Sequence, residues 1–368
     1  MDTDLSKLTI RQKIGQMFFI GISGPTIDGP TEQLLDEISP GGVCLFARNI
    51  REAEQTRTLL DSLRGRLFHP LLSLDQEGGT VDRLRRLVTP MTAAASVSTV
   101  GDAAEMGRLI AATVRMLGFN MDFAPVVDVV DNARKDSSSG LFTRPFGSSK
   151  DTVTSLAGEF LRVLQRGGVI GCLKHFPGLG GAKVDSHEEL PVVDISRDEL
   201  FSIDLYPYRE LIKNGEVHAV MIAHTSFPAV DLQELGQNGT LLPSSLSKNF
   251  ITHLLRDELL FDGLVITDDL EMGAIVKNYG IGDACVMAIN AGVDMLAICA
   301  DPINVREGFR AVNAAYQKGT ISEERIETSI ARIAHIKSIM SDPPCFDTDR
   351  LACLSTEISR FNSGLEKR

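Results

Sequence analysis

Eight short apolar runs recur along the chain, and helix-length stretches of mixed polarity separate most of them. The runs are Met17 to Ile20, Gly42 to Phe46, Pro70 to Leu74, Met121 to Val126, Val169 to Leu173, Ala219 to Ala223, Gly263 to Thr267 and Asp294 to Ile298. Apolar positions recur with helical spacing over 51–66, 101–117, 150–166, 197–213, 244–260 and 281–291. Strands that are apolar on both faces and joined by helices belong to a parallel sheet covered on its outside. Eight of them predict an α/β fold, a (β/α)₈ TIM-type barrel, with a doubly wound open sheet as the alternative. No composition break or internal repeat interrupts residues 1–340, which read as one domain. The remainder, 341–368, follows a Pro343-Pro344 breaker. Its Leu354, Ile358, Phe361 and Leu365 have helical spacing, which predicts one helix packed on the barrel.

Composition narrows the class of partner. Of 368 residues, 43% are hydrophobic and 23% charged, as in ordinary globular proteins, and the net charge is -12. With no basic stripe, neither nucleic acid nor an anionic membrane is an expected partner. The first residues lack a basic segment followed by an apolar core, and no apolar run is long enough to span a bilayer. The six cysteines are scattered without a CxxC spacing, and a cytoplasmic location is the simplest reading.

In a barrel of this kind chemistry belongs at the C-terminal ends of the strands. There the chain carries Arg48 and Asn49 after the second run, Asp75 and Arg83 after the third, and Asp128 and Arg144 after the fourth. Lys174, His175, Asp185 and His187 follow the fifth, His224 the sixth, and Asp268 with Asp269 the seventh. Strand alternation directs Asp268 and Asp269 to opposite sides, one a site carboxylate and the other a structural cap. Asp185 and His187, two apart, share a face in extended chain. The carboxylate can orient the imidazole for proton transfer, although an exposed turn would read the same way. Gly178, Gly180 and Gly181 just upstream predict a loop able to swing over a ligand. Asp75, Arg83, Lys174 and His175 suit a polyhydroxylated ligand such as a sugar, and equally a phosphate or a metal.

Four separated segments, "KHFPGLGGAKVDSHEELP", "DQEGGTVDR", "TRPFG" and "TDDLEMGAI", together resemble glycoside hydrolase family 3. The nearest type is its single-domain β-N-acetylglucosaminidases of cytoplasmic peptidoglycan recycling. The resemblance covers about residues 8 to 340 and departs from the usual pattern at Leu179, Thr80 and Pro145. It implies Asp268 as catalytic nucleophile, Asp185 and His187 as the acid/base dyad, and Asp75, Arg83, Arg144, Lys174 and His175 as sugar ligands.

The reaction so implied is retaining hydrolysis of a terminal β-linked N-acetylglucosamine, through a covalent glycosyl-enzyme on Asp268. The substrate class would be an N-acetylglucosamine-containing muropeptide or disaccharide, with no metal or organic cofactor. A phosphorolytic variant would use phosphate in place of water. A two-domain β-glucosidase would take its acid/base from a second domain, for which this chain has no room. A metal-dependent amidohydrolase needs His-x-His at the end of the first strand, where Gly21-Ile22-Ser23-Gly24 stands. A non-catalytic sugar-binding barrel would have no use for the dyad and nucleophile.

Overall fold

A computed structural model describes residues 4–131, 134, 141, 143–182, 189–236 and 239–367. The eight apolar runs form the strands β1 (Phe18–Gly21), β2 (Gly42–Cys44), β3 (Leu71–Leu74), β4 (Met121–Asp122), β5 (Ile170–Phe176), β6 (Ala219–Ile222), β7 (Leu264–Thr267) and β8 (Leu296–Ile298). Each pairs in parallel with its neighbours, for example Ile20 with Val43, Leu74 with Asp122, Leu173 with Val220 and Ile20 with Ile298. The ring closes where Ile266 bridges Met295, and Met295 N–H donates to Val265 O at 3.0 Å. This is the barrel expected from the run count, in place of the open sheet.

Alternation within a strand divides the core. Phe18 turns outward onto Phe309 of the surrounding helix Pro302–Gln317, with ring centroids 5.7 Å apart. Phe19 turns inward against Phe123 at 5.2 Å. Its ring lies over Gly42, where any Cβ would come within 2.5 Å of it, so only glycine admits that packing.

The outer helices begin and end on ordinary capping chemistry. Thr99 caps Val100–Leu117 by accepting the Asp102 N–H, and that helix stops at Gly118 in the left-handed region. Two predicted helices are less regular than their periodicity suggests. Over 197–213 the chain forms Arg197–Glu199, a wide turn Leu200–Asp204 and then Tyr206–Lys213. Pro207 has no N–H to continue the ladder, and Leu205 N–H reaches back to Leu200 O at 2.8 Å. Over 244–260, the short turn Ser244–Leu246 precedes the widened helix Asn249–Glu258.

The tail forms the helix Thr348–Glu366, which packs against Val100–Leu117 and buries Leu351, Leu354 and Ile358. Ser355 Oγ accepts the Thr89 N–H at 2.8 Å, and Asn362 Nδ2 donates to Pro90 O at 2.8 Å. The helix thus braces the segment that follows Arg83. All six cysteines are unpaired, four of them buried. Among the described residues, no helix is long and apolar enough to cross a membrane.

Candidate active site

The C-terminal strand ends enclose a cavity of about 370 Å³. Asp75, Arg83, Arg144, Lys174, His175 and Asp268 all line it. Six of the eight predicted site residues, Lys174 and His175 within the end of β5 and the others on segments after β3, β4 and β7, therefore meet in one place. Asp185 and His187 lie outside the described residues, as does the stretch 183–188 around them.

One wall is a chain of ion pairs. Lys174 Nζ, 2% exposed, donates to Asp75 Oδ1 at 2.8 Å and lies 2.6 Å from Glu77 Oε1. Glu77 also accepts two bonds from Arg144, Nε at 2.8 Å and Nη2 at 2.9 Å. Arg83 Nη2 approaches Asp75 Oδ2 at 3.4 Å. Burial is the largest influence on Asp75 and pushes its carboxyl up. The adjacent Lys174 and Arg83 outweigh it and hold the group well below the usual carboxylate range. Burial would likewise discharge Lys174, but Asp75 and Glu77 keep it above its ordinary value. The wall stays fully charged, with donors and acceptors facing the cavity.

Beneath this wall the loop "DQEGGTVDR" is stitched to the barrel. Asp122, at the end of β4, accepts the Gln76 N–H at 2.9 Å, and Gln76 Oε1 accepts the backbone N–H groups of Arg83 and Leu84. Burial pushes the Asp122 carboxyl well above its usual range.

Opposite lies the segment after β7. Strand alternation separates Asp268 from Asp269, yet both line the cavity, because the strand ends at Thr267 and the chain turns there. Their environments differ. Asp269 Oδ1 accepts the N–H of Glu271 at 3.0 Å and of Cys299 at 3.3 Å, the work of a cap. Burial raises its carboxyl to about 7. Asp268 Oδ1 accepts the Asp269 N–H at 2.8 Å, and no cation pairs with Asp268 among the described residues. Asp269 is therefore the backbone cap of the pair, but alternation does not turn the two to opposite sides as expected.

Other strand-end residues brace the frame. Asn49 Nδ2 donates to the carbonyls of Ile22 and Gly24, and Arg48 Nε donates to Ile22 O. His224 bonds Ser245 Oγ through Nδ1 at 2.7 Å and Asp269 O through Nε2 at 3.0 Å, which supports the turn after β7 from behind.

Two of the glycines before Asp185 stand where a side chain would not fit. A Cβ on Gly180 would lie 1.9 Å from Val129 O, and one on Gly178 would lie 2.7 Å from Asp204 Cβ. These glycines let the chain press against its neighbours. Leu179 N–H is held by Asp128 Oδ1 at 2.7 Å, and Ala182 N–H by Leu179 O at 2.9 Å. The described root of this loop, up to Ala182, is anchored.

Glu77 is the residue at this wall that sequence reasoning passed over, and Asp128, although counted among the strand-end residues, has no role assigned by sequence alone. Glu77 stood in plain view within "DQEGG", but only the three-dimensional arrangement shows it between two cations. Among the described residues, no group of three His, Cys, Asp or Glu side chains is disposed to hold a metal ion.

A parallel eight-stranded barrel with this charged rim matches a known class. Residues 9–336 match the glycosyl hydrolase family 3 N-terminal domain, and the chain belongs to that family. It is similar to the beta-hexosaminidase of Pseudomonas aeruginosa (strain LESB58), with 35% identity over 289 residues covering 77% of this chain and 82% of that protein. With Beta-hexosaminidase A of Pseudoalteromonas piscicida the identity is 32% over 338 residues, 85% of this chain. The match spans only 56% of that longer relative. In three dimensions the chain resembles a glycoside hydrolase family 3 beta-N-acetylglucosaminidase from Paenibacillus sp. str. FPU-7. The TM-score is 0.86 at 35% identity, over 96% of this chain and 69% of that one.

Proposed function

We propose that this chain is a retaining exo-β-N-acetylglucosaminidase that removes terminal β-linked N-acetylglucosamine from peptidoglycan-derived fragments such as N-acetylglucosaminyl-anhydromuramic acid. The observation that carries this reading is the placement of the Asp268 carboxylate, paired with no cation among the described residues, in the same cavity as His175 and the charged wall of Asp75, Arg83, Arg144 and Lys174. The names of its relatives, beta-hexosaminidase and beta-N-acetylglucosaminidase, support the same substrate class.

In this mechanism the wall binds the sugar. Asp75, held as an anion, accepts from ring hydroxyls, while Lys174, Arg83 and Arg144 donate to sugar oxygens. Asp268 attacks the anomeric carbon and forms a glycosyl-enzyme, for which an ionised carboxylate is required. Asp269, raised to about 7 and occupied by backbone donors, is the poorer nucleophile of the two. His187, paired with Asp185, protonates the departing oxygen and then takes a proton from the water that releases the sugar.

Hydrolysis of nitrophenyl β-glycosides of N-acetylglucosamine, glucose and xylose by the purified protein tests the proposal. The N-acetylglucosaminide should be turned over fastest. Preference for glucose or xylose would overturn the substrate, and dependence on added phosphate would convert the reaction to phosphorolysis.

A further inference from the structure

Asp128 ends the run after β4 and is 1% exposed. It does not line the cavity. Yet both of its carboxylate oxygens are committed to groups that do. Oδ2 lies 2.7 Å from His175 Nδ1, and Oδ1 accepts the N–H of Leu179 at 2.7 Å. On its other side His175 Nε2 lies 3.3 Å from Arg144 Nη2, which is itself bound to Glu77.

This geometry sets the protonation pattern of the ring. A carboxylate only accepts, so His175 Nδ1 must carry the proton that meets Asp128. A guanidinium only donates, so Nε2 must offer its lone pair to Arg144. The other neutral tautomer would set a lone pair against a carboxylate and an N–H against a guanidinium. Asp128 therefore orients a cavity-lining imidazole from behind, and with its second oxygen ties down the backbone at Leu179, whose side chain lines the same cavity. A continuous series runs from Arg83 through Asp75, Lys174, Glu77, Arg144 and His175 to Asp128 and Leu179.

We propose that Asp128 is a positioning residue of this site: one carboxylate oxygen holds His175 in the Nδ1-protonated tautomer, and the other fixes the loop backbone at Leu179. The activity consequences rest on the glycosidase reading above, whereas the tautomer does not. An asparagine at this position has one accepting oxygen for two donors. Either Leu179 N–H loses its partner, or the ring must turn Nδ1 into an acceptor and direct an Nε2 proton at Arg144.

The test uses the full chain labelled with ¹⁵N-histidine. The His175 imidazole signals are assigned by their disappearance in His175→Ala. In the wild type, Nδ1 should resonate as the protonated nitrogen and Nε2 as the bare one at neutral pH. Asp128→Asn should shift His175 towards the Nε2-protonated form. With nitrophenyl β-N-acetylglucosaminide as probe, the same variant should lose about 10- to 100-fold in kcat/KM, the span of a charged hydrogen bond. In His175→Ala the same substitution should cost several-fold less, because the partner through which it acts has gone. An Nε2-protonated His175 in the wild type overturns the proposal, and so do fully additive penalties. Should Asp128→Asn fail to fold, the wild-type spectrum decides by itself. A wild type that hydrolyses none of the nitrophenyl glycosides would remove the glycosidase reading and leave the tautomer result standing.

Discussion

Two of the buried lysines lie at opposite ends of the barrel, and they behave in opposite ways. Lys174, at the C-terminal rim, sits between Asp75 and Glu77 and is held above its ordinary value, although burial pulls it down. Lys337 lies at the N-terminal end, where its Nζ donates to Gln16 Oε1 at 2.6 Å and to Phe68 O at 3.0 Å. No carboxylate is paired with it among the described residues, and burial lowers it to about 7. Burial by itself discharges a lysine, and only a counter-charge keeps it ionised. At the rim the barrel retains a charged cluster that a polar ligand can use. At the opposite end a lysine serves as a neutral or half-charged donor to two oxygens.

Substitutions at the two ends should separate accordingly. The largest effect is expected at the rim, from Asp268→Ala. If Asp268 is the covalent nucleophile of the proposed mechanism, its loss should leave less than about 1% of turnover, with the thermal transition close to wild type. Retention of more than that in steady-state assays would move the nucleophile to Asp269.

Next comes the lysine pair. Lys174→Met strands Asp75 and Glu77 without their shared cation, which should cost about 3–5 kcal/mol of stability and raise KM. Lys337→Met removes a lysine that burial already largely discharges but leaves Gln16 Oε1 and Phe68 O without their donor, so it should cost no more than about 1–2 kcal/mol at pH 7, with kcat unchanged. Urea unfolding of both variants measures the contrast. Equal losses would mean that the counter-charges at the rim matter no more than the two oxygens around Lys337.

Smaller effects should appear in the pH dependence of stability. Lys337 has a folded value near 7 and an ordinary one of 10.5. Between those limits the unfolded chain binds the extra proton and the folded chain does not, so this residue makes stability rise as pH rises. Asp269 works in the other direction. Raised from 3.8 to about 7, it binds a proton in the folded chain first, and its contribution is lost as pH climbs through about 4 to 7. Lys337→Met should flatten the alkaline limb alone, and Asp269→Asn the acidic one. Denaturation midpoints between pH 4 and 10 would show whether the two limbs exchange places or fail to respond.

Much of this site could be read from one dimension. Lys174, His175, Asp75 and Asp268 stand at or directly after the ends of apolar runs, with Arg83 and Arg144 further along the segments that follow such runs, and a parallel barrel brings the ends of the runs to one rim. Glu77, and the part played by Asp128, escaped because neither side chain needs to face a ligand. Their role comes from partners distant in sequence, Arg144 and Lys174 for the one and His175 and Leu179 for the other. The glycines at 178 and 180 escaped for a related reason. A glycine that permits motion and one that permits contact look alike until the neighbouring Val129 carbonyl and Asp204 are in place.

What the sequence by itself determined, then, was the number and order of strands, the end of the barrel that carries chemistry and the family to which the chain belongs. Apolar periodicity and local capping are properties of neighbouring residues, and they survive reading along a line. Tertiary structure alone decided which of two adjacent aspartates is the cap, because that depends on the Cys299 N–H, thirty positions downstream of Asp269. It also decided which buried lysine keeps its charge. Both residues are surrounded by apolar sequence, and the difference lies in carboxylates that only the closed barrel sets beside one of them.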